Sequence, residues 1–97
     1  MKRVENKIAI VFGGGQTAGE AIGNGRATCV TLAREGAHVV VVDRDLTSAQ
    51  ETVALIHAAN GQAECAQADQ TNDAQVNDLI AAVIKRHARI DILHNNI

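Results

Sequence analysis

Six of the eight glycines in this 97-residue chain fall within one short run, Phe12-Gly13-Gly14-Gly15-Gln16-Thr17-Ala18-Gly19-Glu20-Ala21-Ile22-Gly23-Asn24-Gly25-Arg26-Ala27. Glycine lets backbone approach a bulky anion closely and adopt positive φ. A helix opening at the end of such a run aims free N–H groups and partial positive charge at that anion. The chemistry expected is pyrophosphate binding. Two spacings fit. Gly13-x-Gly15-x-x-Ala18 matches a dinucleotide fingerprint, although no helix is expected to start there; Gly19-x-x-x-Gly23-x-Gly25 also matches, and a helix does start there. We favour Gly23, Asn24 and Gly25 at the helix mouth, with Gly13 turning the chain off the preceding strand and Gly15 inside the loop. A P-loop is disfavoured, because Gly25-Arg26-Ala27 lacks the Gly-Lys-Ser/Thr ending.

The second chemical signal is Asp43, which closes a run of four valines 18 positions after Gly25. A carboxylate there can accept hydrogen bonds from both hydroxyls of an adenosine ribose, and it repels a 2′-phosphate. The alternative is an Asp that merely ends a strand. Arg44 could attract a 2′-phosphate, but a surface guanidinium returns little against an adjacent anion. NAD is therefore expected ahead of NADP.

These groups need a frame. Ile8-Ala9-Ile10-Val11-Phe12 and Val39-Val40-Val41-Val42 are apolar without alternation, as in strands buried on both faces of a parallel sheet. Residues 25–34 between them have helical spacing in Ala27, Val30 and Ala33, and Gly36 is a suitable stop. Ala49, Val53 and Ile56 share one face of a second helix, ended by Asn60-Gly61. Residues 63–68 make a weak third strand, placed more by position than by composition. Asn72 can cap a third helix with Gln75 as its capping-box partner. Val76, Leu79, Ile80, Val83 and Ile84 then form its apolar stripe. Ile90-Asp91-Ile92-Leu93 starts a fourth strand. The expected class is α/β, a single partial Rossmann-type domain over residues 1–97. Its doubly wound parallel sheet has the order 3-2-1-4 and is truncated after the fourth strand. The fourth strand would lie at an edge, so the chain is expected either to belong to something longer or to form a homo-oligomer.

Composition narrows the partners. A formal net charge of −2 gives no reason to expect nucleic acid, and no apolar run approaches the ~18 residues of a membrane span. The basic start lacks the apolar stretch of a signal peptide. Cys29 and Cys65 fit buried, reduced thiols in a cytoplasmic protein. His38, His57, His87 and His94 show neither i, i+4 pairing nor a carboxylate partner, so no metal is expected. The chain has no Tyr, Trp or Pro, and Ser48 is its only serine. A tyrosine acid or base cannot be completed from these residues.

Taken in order, these motifs resemble the short-chain dehydrogenase/reductase family over nearly the whole chain. Gly23-Asn24-Gly25-Arg26-Ala27 is similar to the family's Gly-Ile-Gly-Arg-Ala. Ala33-Arg34-Glu35-Gly36-Ala37, followed by valines and Asp43, is a typical stretch. Ala68-Asp69-Gln70-Thr71 resembles the Asp-Val-Thr whose carboxylate contacts adenine, although Asp69 could equally cap the third helix. The segment from Asp91 through Asn95 and Asn96 resembles the start of Asn-Asn-Ala-Gly beside the cofactor, although Asn95 could be purely structural. There are two departures: Phe12 replaces the threonine that ties the glycine loop to the sheet, and residues 16–21 are inserted. The resemblance implies an NAD(P)-binding portion of an oxidoreductase that moves hydride between nicotinamide and an alcohol or ketone. It also implies that the catalytic Asn, Ser, Tyr and Lys lie outside this chain, so the 97 residues alone are expected to be inactive. The rivals are a free-standing chain that binds nucleotide or self-associates without catalysis, and a degenerate product without a stable fold.

Overall fold

A computed structural model of the chain describes residues 5–15 and 24–95. In chain order the elements are β1 (Ile8–Phe12), α1 (Asn24–Arg34), β2 (His38–Asp43), α2 (Leu46–Ala58), β3 (Gln62–Gln67), α3 (Asp73–His87) and β4 (Ile92–Asn95). All strand pairs are parallel, in the order β3-β2-β1-β4.

The unalternating apolar strands have a direct cause: successive side chains of β1 and β2 feed opposite cores. Ala9, Val11, Val39 and Val41 pack with Cys29 and Ala33 of α1 and with Ala49 and Ile56 of α2. Ile10, Phe12, Val40 and Val42 pack on the other face with Val83 of α3 and Ala68. This is the doubly wound α/β sheet expected, with α1 and α2 on one side and α3 on the other. Among the described residues, no helix is long and apolar enough to cross a membrane.

The ends of the elements follow local chemistry. Gly36, at φ 102, closes α1, and Asn60, at φ 65, follows α2. Asn72 caps α3 by accepting from the Gln75 N–H at 3.1 Å. The return bond of a capping box is redirected: Gln75 Oε1 accepts from the N–H of Asp69, not of Asn72, whose own N–H goes to the Asp69 carbonyl. Helix α3 ends on Ala88 in the left-handed region, at φ 69. The ladder of β4 begins at Ile92, two residues later than the sequence suggests, because the Asp91 carboxylate takes the Ile8 N–H at 2.8 Å. That bond, with help from the Arg89 guanidinium, holds Asp91 below the usual carboxylate range against the opposing cost of desolvation.

Two expectations about side chains need correction. Ile84, placed on the buried stripe of α3, is 47% exposed, while Val83 is fully buried. Of the two cysteines only Cys29 is buried, and burial pushes its thiol up to about 12; Cys65 is half-buried on β3. The difference arises because Cys65 lies on an edge strand, where α2 covers only part of the face.

Candidate functional site

The last residues of the four strands, Phe12, Asp43, Gln67 and Asn95, lie along the carboxyl edge of the sheet. In a doubly wound sheet this edge carries the ligand crevice, and strand order reverses at β1. The chain leaves β1 through Gly13, whose φ of 73 suits glycine. The N–H groups of Gly13 and Gly14 both donate to the Val42 carbonyl, at 2.8 and 3.0 Å. Backbone bonds therefore fasten the start of the loop to β2, the role the sequence comparison gave to a threonine hydroxyl. Phe12, standing in that position, is 4% exposed and packs into the α3-side core.

From there the loop presses onto β2 and α2. A Cβ on Gly14 would lie 2.7 Å from Val41 Cγ1 and 2.9 Å from Cys29 Sγ; one on Gly15 would lie 2.4 Å from Ser48 Oγ and 2.8 Å from Asp43 Oδ2. Gly14, which the sequence reading did not single out, has as little room as Gly15.

Asp43 sits where this loop, β2 and α2 converge. Its Oδ2 accepts from the Gly15 N–H and its Oδ1 from the Asp45 N–H, both at 3.0 Å. Each carboxylate oxygen has more than one acceptor position, so one bond apiece orients the group without exhausting it. Asp45 in turn caps α2 through the Ser48 N–H. The exposed Arg44 lies in the turn between them, and its carbonyl accepts from the Gln67 amide at 3.0 Å.

The end of β3 joins this group through a bond from the Ala68 N–H to the Asp43 carbonyl. Of the two open readings for Asp69, helix capping belongs to Asn72. Asp69 Oδ1 instead accepts from the Thr71 hydroxyl at 2.6 Å and the Thr71 N–H at 2.9 Å. Those bonds, with help from the Arg44 charge, lower its carboxyl below the ordinary value. Beside it, Gln70 Oε1 is buried without a hydrogen-bond partner. A buried orphan acceptor is uncommon and fits a donor supplied by a ligand, as do Gly14 and Gly15 with no room for a Cβ and the nearby opening of α1.

Helix α1 begins at Asn24 and has no acidic residue in its first turn; Gly25 is buried within that turn. Gly23 and the 16–21 insertion lie outside the described residues. Asn95 pairs in register with Phe12 at the end of β4 and is exposed.

Sequence reasoning missed Arg26 and Thr52. Arg26 Nε donates to Thr52 Oγ1 at 2.9 Å, and its terminal nitrogen reaches the Ser48 carbonyl at 3.1 Å and Glu51 at 3.4 Å. Thr52, fully buried, donates to the Gly14 carbonyl at 2.8 Å. One hydroxyl thus links α1, α2 and the glycine loop. The available signal was a polar residue on the buried face of α2, beside Ala49, Val53 and Ile56. Thr52→Val keeps the shape but strands a carbonyl and a guanidinium N–H, so unfolding should cost about 1–3 kcal/mol less. Urea denaturation checks this; a midpoint shift equivalent to under about 0.5 kcal/mol, the level of an ordinary surface change, would remove the linking role.

The histidines need a further correction. His57 Nε2 contacts the Ala63 carbonyl at 3.1 Å, and His94 is exposed on β4. His38 and His87, however, do have a carboxylate partner: both reach Glu64, at 2.9 and 2.5 Å. The contact is between the opening of β2, the middle of β3 and the end of α3, so no spacing along the chain could display it.

Comparison with known proteins identifies the fold and the family. The sequence profile of the short chain dehydrogenase family matches residues 7–97. The chain is 44% identical over 94 residues to the short-chain dehydrogenase/reductase homolog YusS of Bacillus subtilis, covering 96% of this chain and 81% of that protein. A crystal structure from Burkholderia xenovorans assigned to the short-chain dehydrogenase/reductases superposes with a TM-score of 0.94 at 44% identity, covering all of this chain and 38% of that one. A metagenomic short-chain oxidoreductase in complex with NADP superposes with a TM-score of 0.84 at 28% identity, over 93% of this chain and 38% of that one. The chain spans only about a third of the longer dehydrogenases it matches. With its motifs in family order and its strands in family topology, the chain belongs to the short chain dehydrogenase family.

Proposed function

We propose that these residues are the adenosine- and pyrophosphate-holding portion of an NAD-dependent oxidoreductase acting on an alcohol or carbonyl group. The observation that carries the reading is the Asp43 carboxylate, pinned by the Gly15 and Asp45 N–H groups at the mouth of the crevice. It would accept from the ribose hydroxyls. The opening of α1, with Gly23, Asn24 and Gly25, would hold the pyrophosphate, and Gly13 and Gly15 would shape its approach. Asp69 and Gln70 would meet the adenine, for which the orphan Gln70 Oε1 supplies an acceptor. Asn95 would stand beside the nicotinamide half, which when bound supplies the hydride donor or acceptor. The solved relative with NADP supports the dinucleotide class; the Asp43 carboxylate, next to an exposed Arg44, favours NAD within that class. With no tyrosine in the chain, proton transfer to or from the substrate oxygen falls to residues of the parent enzyme. Two free cysteines support a reducing, cytoplasmic setting.

Calorimetric titration of the 97-residue chain tests the reading. NAD and AMP should bind competitively with affinities within about tenfold, because the grip is on the adenosine side, and purified chain should turn over no alcohol. NAD binding that AMP fails to displace, or turnover of an alcohol, would overturn it. A second reading, self-association without catalysis, is favoured by Leu93, 57% exposed on β4, whose neighbour among the described strands is β1 alone. Sedimentation in the presence and absence of NAD separates the two.

A further inference from the structure

We propose a second site, for a divalent transition-metal ion, made by His38, Glu64 and His87 at the end of the sheet away from Asp43. His38 opens β2, Glu64 lies on β3, and His87 is the last residue of α3. The Nε2 atoms of both histidines converge on the same carboxylate oxygen, Glu64 Oε1, at 2.9 and 2.5 Å. The three candidate ligand atoms all lie within 4.8 Å of one another. The imidazole rings are 4.7 Å apart and tilted by 44°. The side chains are 23%, 27% and 21% exposed, shielded but reachable, and both histidines line a cleft of about 450 Å³.

Two imidazoles and one carboxylate are a donor set suited to Zn²⁺, Ni²⁺, Co²⁺ or Cu²⁺ rather than Mg²⁺ or Ca²⁺. Three protein ligands leave a fourth tetrahedral position for water from the cleft. Bonds of about 2.0–2.1 Å imply ligand atoms roughly 3.3 Å apart, so each histidine–Glu64 contact need lengthen by less than about 1 Å, while the two imidazole nitrogens, within 4.8 Å of each other, close by at most about 1.5 Å. Arg86 holds the other carboxylate oxygen, Oε2, at 2.6 Å, an outer contact that fixes the direction of Oε1. The ion would join β2, β3 and the end of α3 in one cross-link. That matters because Val83 is the only fully buried side chain on α3.

The test is titration of the tag-free chain with Zn²⁺, with Mg²⁺ as control, and zinc-edge X-ray absorption on the loaded, unsubstituted chain. The expected result is one saturable Zn²⁺ site with a nitrogen and oxygen shell including two imidazoles. Affinity should fall at least about tenfold in Glu64→Gln and again in His87→Ala, and the thermal midpoint should rise with Zn²⁺ but not with Mg²⁺. Absence of saturable uptake, a sulfur scatterer implicating Cys65, or unchanged affinity in the His38→Ala/His87→Ala double variant would each overturn the proposal. The absorption measurement needs no substitution, so a variant that failed to fold would not shelter it.

Discussion

Asp43→Ala should weaken NAD binding about 10- to 100-fold and improve NADP binding several-fold, reversing the preference between them. The size follows from losing a charge-assisted acceptor for the ribose hydroxyls: hydrogen bonds to charged groups contribute about 1.5–3 kcal/mol, and each 1.4 kcal/mol is a factor of ten. The gain for NADP has a separate cause, since the variant removes the anion that faces a 2′-phosphate while Arg44 remains next door. The substitution also strands the Gly15 and Asp45 N–H groups, so some loss of loop order is unavoidable. A purely structural role would lower both affinities by the same factor and leave their ratio alone. The ratio, read by parallel titration with the two dinucleotides, is therefore the decisive quantity. An unchanged ratio would mean that the ribose is recognised elsewhere.

That Asp43 could be placed at the end of β2 without coordinates reflects the kind of information its position needs. Strands β1 and β2 are legible because residues such as Val40 and Val41 each face a different apolar core, which forbids alternation and marks the central strands of a parallel sheet. The residue that ends such a strand falls at the carboxyl edge by geometry alone. The glycine turn is legible for a similar reason: Gly13 needs positive φ, a property of one residue in one place. What stayed hidden involves partners far apart in sequence. Arg26 and Thr52 meet across two helices and a strand, and a helical arginine is no different in composition from a solvated one. Glu64 looked like a polar residue in a poor strand, yet it gathers His38, Arg86 and His87 from two other elements. The boundary of β4 moved for a local reason of another kind: a side-chain carboxylate took the place of a ladder bond, which hydrophobic patterning does not register.

Gly15→Ala should cost about 1–3 kcal/mol of stability and about 10- to 100-fold in dinucleotide affinity, and the physical origin is space. Gly15 is not in the left-handed region, so an alanine there meets no conformational penalty. It meets Ser48 instead, with the new Cβ 2.4 Å from Oγ and 2.8 Å from the Ser48 Cβ. Rotating the serine hydroxyl relieves the first contact, but its Cβ is fixed to the first turn of α2. Either the helix or the loop must shift, and the contact 2.8 Å from Asp43 Oδ2 means that the Gly15–Asp43 bond stretches as it does. Gly14→Ala provides the contrast, because its obstacles, Val41 Cγ1 and Cys29 Sγ, belong to the core on the α1 side. It should lower stability by a similar amount while moving affinity less, since the carboxylate proposed to meet the ribose is not what it strikes. Adding Ser48→Gly to Gly15→Ala removes both serine contacts. The roughly 0.5–1 kcal/mol that glycine costs inside a helix is carried by the Ser48→Gly single variant and cancels in a double-mutant cycle, where the pair should show at least about 0.5 kcal/mol of favourable coupling. Additive effects would mean that the loop does not rest on α2 as described. A Gly15→Ala chain that binds NAD as tightly as the unsubstituted protein would show that the orientation of Asp43 does not depend on the glycine beside it.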